Sequence, residues 1–253
     1  MAMIFDQSEY DIRCEWGQRG VLALAPTSDV VIIVDILSFS TSVSIATERG
    51  AAVFPYHGLN ESLAEYAAQR SAVPIGFQRD KPGYTLSPSS LLAVSEGHRL
   101  VLPSPNGSTL TAVAAETAPP AHILAGCLRN TGAVAAVAAS LGRRIAVIPA
   151  GERWRVDGSL RPSAEDILGA GAIISQLPGA RSPEAEVAAA SFEGMRSRLV
   201  DVVSRCGSGR ELIERGFSAD VALATEFNVS DNAPRLIDGA YRRFRQSPAP
   251  SAG

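Results

Sequence analysis

Val30-Val31-Ile32-Ile33-Val34-Asp35-Ile36-Leu37-Ser38-Phe39-Ser40-Thr41-Ser42 passes from an unbroken run of β-branched residues into an acid and a row of hydroxyls. A strand with one wet face alternates apolar and polar residues, whereas one that is apolar throughout is covered on both faces, as in a parallel sheet. Five more segments have this character: Ala52 to Tyr56, Val73 to Phe77, Arg99 to Leu102, His122 to Cys127 and Ile145 to Ala150. Between them lie stretches of helical composition, Thr41 to Arg49, Glu61 to Arg70, Ser108 to Thr117 and Thr131 to Leu141. The alternation predicts an α/β protein, a three-layer α/β/α fold with a largely parallel sheet. Past residue 160 the pattern turns helical, with Ser163 to Leu177, Pro183 to Arg205 and Arg210 to Arg215 ahead of a short Val221 to Phe227 segment, so the C-terminal part is expected to be helix-rich. No linker divides the chain. Residues 1–245 read as a single domain, with room for two packed lobes, and 246–253 as a flexible tail whose Gln-Ser-Pro-Ala-Pro-Ser-Ala-Gly sequence has no apolar content to offset ordering.

Composition narrows the function classes. Over 253 residues, 23 Lys+Arg against 26 Asp+Glu give a formal charge of −3, so no general field attracts nucleic acid or an anionic membrane. Neither is expected as a partner. The three cysteines, Cys14, Cys127 and Cys206, stand far apart in no CxxC or CxxH pattern, which argues against a disulfide framework or a structural zinc site and for a reducing cytoplasm. No apolar run approaches the roughly 20 residues that cross a bilayer, and the start carries no signal-peptide pattern. A single lysine, Lys81, among many arginines and alanines suggests a GC-rich bacterial genome and confines any lysine chemistry to one position.

In open α/β sheets ligands bind outside the carboxyl ends of the strands. Four apolar runs end in polar clusters: Asp35 with Ser38, Ser40 and Thr41; Ser104-Pro105-Asn106-Gly107-Ser108; Arg129-Asn130-Thr131; and Gly151-Glu152-Arg153. Hydroxyls and amides that open helices accompany free backbone N–H groups and the positive dipole end, a ready site for phosphate or carboxylate. The same residue types are also ordinary N-caps, and the two roles coexist. A carboxylate closing so apolar a strand as Asp35 needs a metal or basic group opposite. Glu165 and Asp166, in the first turn of the helix after Ser163, are further acids that either complement the dipole or act at the site. Hard oxygen ligands of this kind suit Mg²⁺, which takes one or two carboxylates together with substrate phosphate oxygens.

His57, His98 and His122 share no metal-ligand spacing or triad order and read as structural. Cys127 reads as a buried hydrophobe in preference to a nucleophile. Trp16 and Trp154 are packing residues, the second also placed to roof a site beside Glu152 and Arg153. The Arg242-Arg243-Arg245 cluster reads as a solvated face.

Five ordered motifs then resemble those of the 2-phosphosulfolactate phosphatase family: residues 30–46, Ser-Pro-Asn-Gly-Ser-Thr-Leu-Thr (104–111), Gly-Cys-Leu-Arg-Asn-Thr-Gly-Ala-Val-Ala (126–135), Ile-Pro-Ala-Gly-Glu (148–152) and Ala-Glu-Asp-Ile-Leu-Gly-Ala-Gly (164–171). The resemblance implies an α/β/α fold and Mg²⁺-dependent hydrolysis of 2-phospho-3-sulfolactate to sulfolactate and phosphate, a step of coenzyme M synthesis. It carries the strand-end acid onto Asp35, the Asn-Gly-Ser turn onto Asn106, Gly107 and Ser108, the later asparagine onto Asn130, and the acidic pair onto Glu165 and Asp166. Where the family often reads Asp-x-Leu-Arg-Ala, this chain has Ser38 and Phe39, so its choice of substrate is expected to be loosened or redirected.

The leading expectation is therefore a cytoplasmic Mg²⁺-dependent hydrolase of a small anionic phosphate ester, with oligomeric state left open and homo-oligomers allowed. Asp35, Glu165 and Asp166 anchor metal or activate water; Ser38, Ser40, Thr41, Asn106, Gly107, Ser108 and Asn130 hold phosphate oxygens; Arg129 or Arg153 pairs with a second anionic group, beside Glu152. A haloacid-dehalogenase reading is weaker because position 37 is Leu37 and its lysine could only be Lys81. A non-catalytic anion-binding protein is the alternative from another class.

Overall fold

The computed structural model describes residues 4–58, 62–76, 78–118 and 121–244. In chain order its elements are β1 (Ile12–Cys14), α1 (Gly17–Leu24), β2 (Val30–Val34), α2 (Phe39–Glu48), β3 (Ala52–Tyr56), α3 (Leu63–Gln69) and β4 (Val73–Pro74). They continue with β5 (Arg99–Pro103), α4 (Gly107–Thr117), β6 (His122–Gly126), α5 (Thr131–Leu141), β7 (Ile145–Pro149), β8 (Glu152–Arg153) and β9 (Leu160–Arg161). The last part holds α6 (Ala164–Ile174), α7 (Pro183–Met195), α8 (Leu199–Arg205), α9 (Gly207–Glu214), α10 (Ser218–Thr225), β10 (Arg235–Ile237) and β11 (Ala240–Arg242).

Nine strands form one sheet in the order β1-β7-β2-β6-β10-β11-β3-β5-β4, parallel except around β10 and β11. The all-apolar β2 is buried along its whole length, and its alternate residues serve two different cores. Val30, Ile32 and Val34 pack with residues of α5, α6 and α7; Val31 and Ile33 pack with residues of α1, α2 and α4. The three-layer α/β/α architecture follows from that alternation.

The layers also locate the site. From the end of β2 the chain turns to α2 on one face, while from the neighbouring β7 it proceeds to α6 on the other. Adjacent strands whose continuations part to opposite faces leave a crevice at their carboxyl ends, the topological switch point of an open sheet.

The structure corrects several sequence expectations. The predicted helix from Pro183 to Arg205 is interrupted at Arg196–Arg198 by a 3-10 turn, and of the Val221 to Phe227 segment all but Glu226 and Phe227 belong to α10. The Val73 to Phe77 strand is reduced to two residues, with Phe77 outside the described residues, as are Glu61 and the expected tail at 246–253. The largest difference is the C-terminal hairpin. It enters the middle of the sheet, where Arg235 pairs with Leu124 and Tyr241 with Val53, and so joins the β1-β7-β2-β6 half to the β3-β5-β4 half. Arg242 thus belongs to a sheet strand rather than a solvated terminal face.

Tyr241 fastens the hairpin. Its ring is fully buried edge-on to Phe39, and its hydroxyl bonds Thr111 Oγ1 at 2.8 Å. Tyr241→Phe should cost about 1 kcal/mol, since Thr111 retains its bond to the Gly107 carbonyl, and Tyr241→Ala about 3–5 kcal/mol through the cavity. Urea unfolding of the two variants tests this ordering, and equal losses would contradict it.

Candidate active site

Asp35 stands where β2 gives way to α2, with 5% of its surface exposed. Its Oδ1 accepts the Phe39 N–H at 3.1 Å and its Oδ2 the Gly107 N–H at 3.0 Å. Phe39 and Gly107 are the first residues of α2 and α4, so the anion gathered by these two helix openings is the protein's own side chain. The approach requires a glycine: a Cβ on Gly107 would lie 2.2 Å from the Phe39 ring. Burial pushes the Asp35 carboxyl up to about 6, aided by the charge of Glu165 and opposed by the two N–H donors and Arg79.

Three further acids stand around it. Asp166 accepts the Ile36 N–H through Oδ1 and the Gly151 N–H through Oδ2, both at 2.8 Å, and so ties together the loops that leave β2 and β7. Burial, then the charges of Glu165 and Asp35, hold its carboxyl well above the usual range. Glu165 is buried and receives the Cys206 thiol on Oε2 at 3.1 Å; burial keeps that sulfur a thiol, pushed up to about 12. Glu152 accepts from Asn106 Nδ2 at 3.0 Å and is pushed up to about 7 by burial and then by Asp35. Together Asp35, Glu152, Glu165 and Asp166 form an acidic row at the switch point, in which the charge of Glu165 helps to raise the other three.

The expected phosphate cradle is arranged differently. Ser40 Oγ donates to the Ile33 carbonyl and accepts the Asp35 N–H, Thr41 Oγ1 donates to the Ile36 carbonyl, and Ser108 Oγ donates to the Leu102 carbonyl. These hydroxyls are fully buried and satisfy strand-end backbone, so they neither cap their helices nor face a ligand. Asn130 is likewise structural, accepting the Cys127 N–H and donating to the Ala125 and Asn232 carbonyls. Arg129 turns to Glu226 and the Leu223 carbonyl, with Glu48 at 4.0 Å, and does not line the cleft that Asp35 lines. Asn106, Ser38, Glu152 and Arg153 do line it.

That cleft encloses about 730 Å³. Asp35 and Glu152 border it from the strand ends; the β8–β9 hairpin contributes Arg153, Trp154, Arg155 and Arg161, and α9 contributes Ser208 and Glu211. Trp154 stands at the mouth, as the sequence placed it, with Arg161 over its ring. Arg79 is a cleft residue that sequence reasoning missed. It lies in Gln78-Arg79-Asp80-Lys81-Pro82-Gly83, which reads as an ordinary polar turn, yet its Nη2 donates to Ser38 Oγ at 2.9 Å. The cleft at Ser38 therefore carries a guanidinium although the sequence supplies only a hydroxyl there. Lys81 is exposed and does not line the cleft, which removes the lysine a haloacid-dehalogenase reading needs; Cys127 is buried with its thiol pushed up by burial.

Among the described residues no three His, Cys, Asp or Glu side chains form a ready metal cage. The donor set nonetheless fits a hard cation held in the Mg²⁺ manner, by one or two carboxylates with water and substrate oxygens for the remainder. Asp35 and Glu165 are the fitting pair. Asp166 accepts two backbone N–H groups, as Asp35 does, but Asp35 lines the cleft and Asp166 does not, while Glu165 keeps Oε1 out of the hydrogen bonds among the described residues; Asp166 is suited to positioning instead.

Comparison with known proteins identifies the family. A family model described as 2-phosphosulpholactate phosphatase matches residues 22–239, a span that takes in every member of the acidic row. The 2-phosphosulfolactate phosphatase of Methanothermobacter thermautotrophicus is 30% identical over 215 residues, covering 84% of this chain and 88% of that protein. The probable 2-phosphosulfolactate phosphatase of Carboxydothermus hydrogenoformans is 31% identical over 231 residues, covering 85% and 92%, and that of Gloeobacter violaceus 29% over 217 residues, covering 83% and 89%. The resemblance carried by the five motifs is thus borne out over most of the chain, which belongs to the 2-phosphosulfolactate phosphatase family.

Proposed function

We propose that this protein is a Mg²⁺-dependent phosphatase that hydrolyses 2-phospho-3-sulfolactate, or a closely related phosphate ester of a small acid, to the 2-hydroxy acid and phosphate. The observation that carries the reading is the acidic group at the switch point, in which Asp35 and Glu152 line a cleft whose other charged groups are mainly arginines and the buried Glu165 and Asp166 stand behind them. A protein that only bound anions would gain nothing from four mutually repelling carboxylates beside its ligand, which disfavours the non-catalytic alternative. The family membership supports the same reaction, and the coenzyme M pathway and a bacterial, cytoplasmic setting remain part of the proposal.

Asp35 and Glu165 would hold the cation, which when bound supplies charge to the phosphoryl oxygens. Asp35 is fixed by the two helix N–H groups, so its carboxylate needs no reorganisation to orient water or metal. Glu152 keeps its proton to about neutral pH and lines the cleft, where it can protonate the leaving alkoxide oxygen. Asp166 holds the β2 and β7 loops in register for both. Arginines on the cleft wall neutralise the substrate's remaining charge.

Chelation should abolish turnover and added Mg²⁺ restore it; full activity in excess chelator would refute metal dependence. Asp35→Asn should lower kcat by about 10²-fold or more, measured on phosphosulfolactate with the variant's folding checked by circular dichroism.

The active form has Asp35 ionised and Glu152 protonated, so kcat/KM should fall as pH rises above about 7, and at limiting Mg²⁺, where protons compete with the cation for Asp35, it should also fall below about 6. Glu152→Gln should remove the alkaline limb and lower the maximum; a profile in which that limb survived the substitution would exclude Glu152 as the proton donor.

A further inference from the structure

Arg79 arrives in the cleft from a segment with little regular structure, and one buried residue on another element fixes it there. Asp220, on α10 and fully buried, accepts Arg79 Nη1 at 2.7 Å, Ser87 Oγ at 2.6 Å, Ser89 Oγ at 2.7 Å and the Ser89 N–H at 3.1 Å. Ser42 of α2 adds a bond to the Leu86 carbonyl at 2.9 Å. The result is a guanidinium whose side chain is 7% exposed, ordered before any ligand enters.

We propose that Arg79, positioned by Asp220, binds an acidic group of the substrate other than its phosphoryl group, the carboxylate common to phosphorylated 2-hydroxy acids, and so sets the preference for phosphate esters of small acids. The inference rests on the phosphatase reading for the identity of its ligand. Three observations support it.

The first is the donor count. Nη1 donates to Asp220 and, at 3.4 Å, to the Leu86 carbonyl, and Nη2 donates to Ser38. Of the five guanidinium N–H groups, Nε–H and one on Nη2 have no acceptor among the described residues. A purely structural ion pair at this depth would be expected to use them, whereas a pair of spare donors on a cleft-lining arginine suits a carboxylate or sulfonate.

The second is the division of charge. Asp220 shares its lone pairs among two serine hydroxyls and a backbone N–H as well as Arg79, so it holds the guanidinium without monopolising it. The Arg79 charge acts on Asp35 and the Arg161 charge on Glu152, so each of the two acids that line the cleft has its own cation near it. A phosphoryl group reacting at the row would leave a second acid of the substrate beside the arginine at Asp35.

The third is the state of the other cleft arginines. Arg155 and Arg215 are largely exposed and share Glu211, Arg153 spends its Nη groups on the Gly158 and Pro105 carbonyls at 3.4 Å, and Arg161, whose charge acts on Glu152, donates Nη2 to Ser208 Oγ at 3.0 Å and lies over the exposed Trp154. An arginine already ordered loses less side-chain entropy on binding than these do.

Calorimetric titration of the purified full chain with 3-sulfolactate, which lacks the phosphoryl group, and with inorganic phosphate separates the binding of the phosphoryl group from that of the rest of the substrate. Arg79→Ala should weaken sulfolactate about 10- to 150-fold, the worth of a charged hydrogen-bonded contact, and phosphate by no more than about threefold. Arg79→Lys should recover part of the loss as a point charge without the fork. In kinetics the ratio of kcat/KM for phospholactate over isopropyl phosphate, which lacks the carboxylate, should fall at least about tenfold in Arg79→Ala. Asp220→Asn should raise KM for phospholactate more than it lowers kcat, with a cooperative thermal transition retained. A wild-type chain that binds no sulfolactate, or variants that lose both anions equally, would overturn the proposal. Arg79-dependent sulfolactate binding by a chain that hydrolyses no phosphate ester would refute the phosphatase reading and support the assignment of the arginine.

Discussion

A carboxylate buried at the end of an apolar strand is stable only if its charge is met, and here the amides of two helix N-termini meet it. Asp35 draws the Phe39 and Gly107 N–H groups onto its two oxygens, so α2 and α4 start at one point although they follow strands on different halves of the sheet. Their convergence fixes what can occupy the neighbouring positions. Gly107 has no space for a Cβ against Phe39, and Phe39 in turn packs on Tyr241, the residue that anchors the bridging hairpin. The site and the joint between the half-sheets are therefore one packed unit.

The two amides do not remove the tension among the acids. Asp35 sits at about 6 and Glu152 at about 7 because burial and mutual repulsion outweigh the donors available to them. The backbone bonds made by Asp35 and Asp166 do not require Glu152 and Glu165 beside them, so the repulsion among the four is more than those bonds demand. Asp166 shows how far structure and reactivity overlap: its two bonds to Ile36 and Gly151 hold the crevice open in a defined shape, while its charge adds to the pressure on its neighbours. A cation bound at Asp35 and Glu165 would relieve that pressure.

The central strands and the acids at their ends were legible because both rest on strong local signals. Five consecutive apolar residues and an acid, as in Val30–Val34 and Asp35, permit few placements. The hydroxyls were legible as residues of the strand ends but not in their roles, since sequence cannot show that Ser40, Thr41 and Ser108 turn back onto strand carbonyls once Asp35 has taken the helix amides. Arg129 and Asn130 were misplaced for a related reason: they follow a strand on the same rim, yet residues 226–232 cover them and consume their donors. The three-residue strands of the C-terminal hairpin gave no periodicity to read, and the arginines around Tyr241 disguised a buried position.

Arg79 shows why the walls of such a site are harder to read than its floor. The floor is set by strand ends, whose position follows from the sheet. The walls come from segments held by single long-range contacts, as Arg79, Ser87 and Ser89 are held by Asp220 more than 130 residues away. In sequence, Asp220 is an unremarkable acid in the first turn of a short helix, and only its burial and four donors distinguish it. Changes in such a wall leave the floor's chemistry in place and alter which anion is brought to it. A fold of this kind can thus keep one acidic centre while its arginines move between segments, and substrate choice depends on where the loops are pinned.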